Sequence, residues 1–251
     1  MPCLRVSRAL LEVIQLSMYE RTQLLIGEKA IEKLKDSKVA IFGIGGVGSF
    51  SAEALGRCGV GNLVLIDYDT INVTNINRQL HSTTKTVGRY KVDVMRERLL
   101  EINPHIKVTA INRKYHHDIA DEIIKKDYDY IIDAIDMISA KISLIVTSIN
   151  KGIPIVSSMG AGNKLDPTKF EVTDIYKTEM CPLAKVLRYE LRKHGIKKLK
   201  VVYSKEKPIK TTMKMPENPS KNVPGSISFV PSVAGLILAS VVVNDIIKDI
   251  I

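Results

Sequence analysis

The hydrophobic positions of this chain fall into short runs separated by stretches where they recur at helical spacing. Residues 39–42, 63–66, 128–132 and 153–157 are nearly continuous apolar runs, and 107–112 adds a more mixed one. Runs of this length predict strands, and continuous ones predict strands buried on both faces. Between them, residues 46–57, 91–102, 118–126 and 139–151 carry apolar side chains three and four apart, the pattern of amphipathic helices. Asn103-Pro104 ends one of these and Gly152 follows another as a C-cap signal. Residues 10–35 also read as helical, with Gly27 as a break. Strand alternating with helix predicts an α/β fold, a Rossmann-like doubly wound sheet that is mainly parallel.

Beyond Gly162 the rhythm changes. Residues 170–175 and 200–203 read as further strands, expected as antiparallel additions, and 183–193 as a basic helix. Residues 204–223 are rich in Lys, Pro, Asn and Ser without an apolar period, which predicts a mobile loop. No internal repeat or clear linker divides the chain. The expected organisation is therefore one domain over 1–251, with a helical segment at 1–36, a nucleotide-binding core at 37–162 and a substrate-side extension at 163–251.

The first strand runs into Gly43, Gly45 and Gly48, a helix follows, and the second strand ends on Asp67. That order is the dinucleotide-binding βαβ layout: one glycine for the tight turn, one for close approach to phosphate, one for helix packing. Asp67 comes about 20 residues on, where a ribose-binding carboxylate belongs. An ordinary glycine turn is the plain alternative. A dehydrogenase would use such a turn for NAD, but no catalytic acid or base for hydride chemistry stands out. Arg78 and Lys91 follow the second strand instead, and Asp136 lies just past the fourth. Two cations and a carboxylate at the strand tips suit a triphosphate with Mg²⁺. Taken singly, each of those cations would read as ordinary surface charge.

Charge changes the picture further. The net charge is +10, and residues 184–210 hold ten Lys or Arg against Glu190 and Glu206 alone. Such a segment is either a solvated face or a surface for a polyanion such as RNA. Lys185, Arg188, Arg192 and Lys193, with Lys197, Lys198 and Lys200, are the candidate RNA contacts. Cys3, Cys58 and Cys181 are widely spaced and form no CxxC pair, which argues against a zinc ribbon or a disulfide framework and for a reducing, cytoplasmic setting. Charges break up the first residues, so no signal peptide is expected. Residues 223–244 are uncharged and nearly long enough to span a bilayer. Their prolines, glycines and serines favour a core strand followed by a buried helix over an integral membrane segment, with peripheral membrane contact left open.

The combination of Arg21, the Gly43/Gly45/Gly48 turn, Asp67 and Asp69, Asn75 with Arg78 and Gln79, Lys91 and Asp136 resembles the adenylating superfamily that includes ubiquitin-activating enzymes and the activators of bacterial sulfur-carrier proteins. Within it the chain looks most like the tRNA threonylcarbamoyladenosine dehydratases. That narrower likeness rests on Arg21-Thr22, on Val73 to Gln79, on Asp133-Ala134-Ile135-Asp136, and on Asp166-Pro167-Thr168. The resemblance implies that ATP adenylates the threonyl carboxylate on the tRNA, and that ring closure then expels AMP. It implies nucleotide contacts from the three glycines, Asp67, Asp69, Asn75 and Gln79. Arg78 and Lys91 would face the phosphates and Asp136 would hold Mg²⁺. It also implies a homodimer in which Arg21 reaches the partner's site, no zinc, and room for a monovalent cation. The alternatives are an adenylyltransferase acting on a sulfur-carrier protein partner, and a non-catalytic nucleotide-binding scaffold. Cys181 could serve as a nucleophile, but intramolecular ring closure needs no thiol, so a structural cysteine is the favoured reading.

Overall fold

The computed structural model describes residues 18–210 and 224–251. Two short helices, α1 (Glu20–Ile26) and α2 (Glu28–Asp36), come first and are divided at Gly27 as the sequence indicates; the part of that helical segment before residue 18 lies outside the described residues. The alternating unit follows: β1 (Lys38–Phe42), α3 (Gly48–Cys58), β2 (Asn62–Ile66), α4 (Lys91–Ile102), β3 (Lys107–Ile111), α5 (Ala120–Ile123), β4 (Tyr130–Asp133), α6 (Ile138–Asn150) and β5 (Ile155–Ser158). The chain continues through β6 (Phe170–Asp174), α7 (Pro182–Lys193), β7 (Lys200–Ser204) and α8 (Phe229–Ile247).

The strands form one seven-stranded sheet in the order β3-β2-β1-β4-β5-β7-β6. Both faces are covered, and β1 shows why its sequence is continuously apolar. Val39 and Ile41 pack into one core with α3, α4 and α8, while Ala40 and Phe42 pack into the other with α6 and α7. The order reverses direction between β2-β1 and β4, and this switch places a crevice over the C-terminal tips of the parallel strands.

Four expectations are corrected. First, only β6 is antiparallel; β7 runs parallel to β5, and the connection between these two passes through β6 at the sheet edge and α7, which packs in the same core as α6. Second, the helix expected at 118–126 shrinks to a 3₁₀ turn, His117–Ile119, and the single turn α5. Side chains cap its last carbonyls instead: Tyr128 donates to Ile123 O at 2.8 Å and Lys151 to Ile124 O at 2.7 Å.

Third, residues 224–228, the described part of the stretch before α8, form no strand. The apolar C-terminal stretch is a single helix, long and apolar enough by composition to cross a membrane, yet half of its most apolar window is buried in this fold. Gly235 explains the fit: a Cβ there would lie 2.3 Å from Val47 O, so only glycine allows α8 this close to α3. Ser51 donates across the same crossing to Gly235 O at 2.9 Å. Fourth, Ser204 belongs to β7 and residue 206 is tied down, because Glu206 accepts the backbone N–H of Leu165 and of Asp166, each at 2.9 Å. Only residues 211–223 of the expected mobile loop lie outside the described residues.

Candidate active site

The crevice is a cavity of about 470 Å³. Its floor is the glycine turn. Gly43 has φ +88°, and a Cβ there would lie 2.6 Å from Ala134 O; one on Gly48 would lie 1.9 Å from Gly43 O. Those two glycines therefore bind the turn to β4 and to the start of α3. Gly45 differs, since a Cβ there would meet only the Gln79 Nε2 at 3.8 Å. It leaves open space beside the backbone just before a helix N-terminus, which is what a phosphate needs.

Asp67 holds the turn in shape. Its two carboxylate oxygens accept the N–H of Ile44 at 2.6 Å and of Asp69 at 2.9 Å. Burial pushes its pKa up, opposed by the nearby positive charge of Lys91 and by those two hydrogen bonds. Lys91 is not surface charge: it is 6% exposed, opens α4, and reaches Asp69 Oδ2 at 2.7 Å. Arg78 is presented by a capped 3₁₀ turn, Val73–Asn75, in which Asn72 N–H donates to Asn75 Oδ1 at 2.9 Å. Asn75 thus lines the cavity while spending its carbonyl on building the turn. Arg78 donates to Thr74 O at 2.8 Å and Asn77 Oδ1 at 2.9 Å, and desolvation pulls its pKa below the usual arginine value. Gln79 is buried on the cavity wall. Asp136 is exposed on the rim beyond β4.

The cavity therefore collects Gly43, Gly45, Asp67, Asp69, Asn75, Arg78, Gln79, Lys91 and Asp136, with Gly48 packed directly behind. It does not collect Arg21, which is exposed on α1 and away from the lining.

Three features escape the sequence reading. Arg113 and Lys114 line the cavity beyond β3, with Lys114 Nζ 5.3 Å from the Tyr68 ring centroid. Their position just past a strand tip was the available signal. Pro224, Gly225 and Ser226 form the opposite wall beside Gly162, which no local pattern marks. Beneath the Asp136 loop lies a fully buried network. Lys141 Nζ donates to Asp133 Oδ2 at 2.8 Å, Ser157 Oγ at 3.1 Å and Ser158 O at 3.0 Å, and Ile135 N–H donates to Asp133 Oδ1 at 3.2 Å. The loop that carries Asp136 is anchored by this pair.

The seven candidate RNA contacts are not brought onto one surface. Arg188 is turned inward to Thr178 O at 3.0 Å, Lys193 pairs with Glu190 at 3.0 Å, and Lys200 pairs with Asp245 at 2.6 Å. Arg192 lies over the Tyr176 ring at 5.2 Å yet remains exposed, as do Lys185, Lys197 and Lys198. Lys185 sits near the start of α7, whereas Lys197 and Lys198 precede β7 at the starting edge of the parallel strands, opposite the crevice. Cys181 is 5% exposed and packs in the core beside α7.

A family model, that of the ThiF family, matches residues 19–249. The chain belongs to the ThiF family. It is 46% identical over 245 residues to the tRNA threonylcarbamoyladenosine dehydratase of Bacillus subtilis, covering 94% of this chain and 96% of that one. The crystal structure of the Escherichia coli tRNA N6-threonylcarbamoyladenosine dehydratase in complex with ATP superposes with TM-score 0.84 and 34% identity, over 98% of both chains. A molybdopterin-synthase adenylyltransferase of Escherichia coli is a more distant relative, 36% identical over 126 residues, or 50% of each chain. The ThiF-family fold thus carries a crevice lined by the residues of the adenylation pattern other than Arg21 and Gly48.

Proposed function

We propose that this ThiF-family chain is an ATP-dependent dehydratase that cyclises threonylcarbamoyladenosine in tRNA through a carboxyl-adenylate. Near full-length similarity to the Bacillus subtilis enzyme carries this reading. In the first step a threonyl carboxylate oxygen attacks the ATP α-phosphorus and pyrophosphate leaves. In the second, the carbamoyl group attacks the activated carbonyl carbon, the ring closes and AMP leaves with the oxygen that is lost. The net change in the nucleoside is the loss of one water.

The residues divide this work. Asp67 faces the ribose. The backbone around Gly45 and Gly46 faces the phosphates. Lys91 and Arg78 offset the charge that builds up on the leaving pyrophosphate, in a crevice where such contacts are stronger than in water. Holding carboxylate and phosphorus together supplies the entropic part of the acceleration.

Among the described residues no three His, Cys, Asp or Glu side chains cluster around a metal position. That fits Mg²⁺ delivered with the triphosphate, since this ion is held through one or two carboxylates plus phosphate oxygens. Asp136 is the rim carboxylate that would hold it, and Mg²⁺ there would neutralise phosphate charge. The exposed position of Arg21 suits a homodimer in which it serves the partner's crevice. We assign Lys185, near the crevice, and Arg192, Lys197 and Lys198, towards the opposite edge of the sheet, to phosphates on different parts of the tRNA, and place the protein in the cytoplasm with that substrate. Incubation with ATP and tRNA carrying the modified base should release AMP and pyrophosphate in equal amounts; release of ADP would sink the proposal.

A further inference from the structure

The crevice has two unlike ends. Arg113, Lys114 and Tyr115 beyond β3 stand at one end, next to Asp67, where the proposed function puts the adenosine. Beyond the glycine turn the crevice crosses the tips of β4 and β5 to Gly162, Pro224, Gly225 and Ser226. With the phosphates over the glycine turn, that second end is where the group receiving the adenylate must sit.

One residue holds this end together. Asn163 N–H donates to Gly225 O at 2.8 Å, and its side-chain Oδ1 accepts the Gly225 N–H at 2.6 Å. Its own carbonyl accepts the Ile209 N–H at 2.8 Å. Asn163 therefore joins three separate stretches of chain. It does so with φ +59°, in the left-handed region that asparagine tolerates better than most side chains.

The next residues fix Asn163 in turn. Lys164 is buried and donates to Glu206 O, and the Glu206 carboxylate accepts two backbone N–H groups from Leu165 and Asp166. On the opposite side of the wall, Asn77 donates to Ser226 O at 2.9 Å, linking it to the turn that presents Arg78. Gly162 completes the close fit, because a Cβ there would lie 2.8 Å from the Pro224 Cβ.

We propose that Asn163 is a positioning residue for the nucleoside half of the reaction: it sets the Gly225–Ser226 wall against which the threonylcarbamoyl group of the tRNA is placed. The inference rests on the dehydratase reading and adds a residue that the adenylation pattern does not contain. The side chain acts through one acceptor oxygen, so its replacements separate cleanly. Asn163→Gly keeps the left-handed backbone and loses the acceptor. Asn163→Asp keeps both.

Steady-state kinetics with modified tRNA, together with ATP binding measured without tRNA, tests this. Asn163→Gly should raise the tRNA KM by about threefold to tenfold, the worth of one hydrogen bond. ATP affinity should stay within about twofold, and Asn163→Asp should return the tRNA KM to near the wild-type value. An unchanged tRNA KM in Asn163→Gly overturns the proposal. So does an equal loss of ATP affinity, or a failure of Asn163→Asp to restore. The wild-type chain assayed alongside reads the dehydratase assignment separately, since its turnover does not depend on how the variants rank.

Discussion

The ammonium of Lys91 lies 2.7 Å from Oδ2 of Asp69, with Lys91 buried at the head of α4 and Asp69 half-open to the crevice. A lysine so placed loses little freedom when a phosphate arrives, because its stem is already packed and its charge already directed. Asp69 keeps the ammonium in place between turnovers without matching the charge density of a triphosphate. On the proposed function the pair would serve as a preorganised phosphate contact.

Lys91→Ala, Arg78→Ala and Asp136→Ala should each lower kcat by about 10²–10³, or about 2.7–4 kcal/mol. Asp69→Asn should cost less than any of these, since the ammonium remains. Arg21→Ala should be inactive alone, yet a mixture with Asp136→Ala should regain part of the activity once subunits exchange. Near-normal turnover in the single variants at saturating ATP would place the site elsewhere. Failure of the mixture to recover would remove Arg21 from the partner's crevice.

The Lys141–Asp133 pair has no exposure on either side chain. Removing one partner leaves a buried charge uncompensated, so Lys141→Met should destabilise the fold by about 3–5 kcal/mol. The double variant Lys141→Met with Asp133→Asn should recover part of that loss. Urea unfolding of the two single variants and the double reads the coupling; strictly additive losses would show that the two charges do not need each other.

Among the described residues His81 has no hydrogen-bond partner on either ring nitrogen, and burial together with the positive charges of Lys91 and Arg98 lowers its pKa to about 4. The unfolded chain takes up the proton first, near 6.5, so stability is complete above that pH and declines as pH falls towards 4. The decline should be about 3 kcal/mol from this group. His81→Leu should flatten the stability profile across that window, as followed by urea midpoints at several pH values. An unchanged slope would assign the acid sensitivity to other groups.

How much of this was legible varies by physical cause. The β1 to β5 order was legible because buried parallel strands need continuous apolar runs, as in Val39–Phe42. The positions of Asp136 and Lys91 on the crevice were legible because strand tips and helix starts can be counted from the sequence. The parallel sense of β7 was not, since it depends on β7 being inserted between β5 and β6 rather than on any local pattern. The C-terminal stretch misled because Gly235, read locally as a breaker, serves the close α3–α8 crossing. Arg188 and Lys200 misled because charge alone does not reveal partners; Thr178 and Asp245 take them. The Pro224–Ser226 wall was hidden because its contacts to Asn163 and Asn77 span distant parts of the chain.

The exposed cations make a separate prediction. Binding of tRNA should weaken steeply with salt, as counterions are released from each contacted phosphate. Neutralising Lys185, Arg192, Lys197 and Lys198 together should lower that slope by about one unit per lost contact, while ATP affinity holds. Filter binding across a salt series measures it, and an unaltered slope would move the RNA surface to other side chains.

Mass spectrometry of nucleosides from tRNA treated with the protein, ATP and Mg²⁺ reads the dehydration itself. Threonylcarbamoyladenosine should be replaced by a species lighter by one water, and the change should require ATP and be lost in Arg78→Ala. A nucleoside mass that stays the same while wild-type chain and ATP are both present would contradict the proposed function.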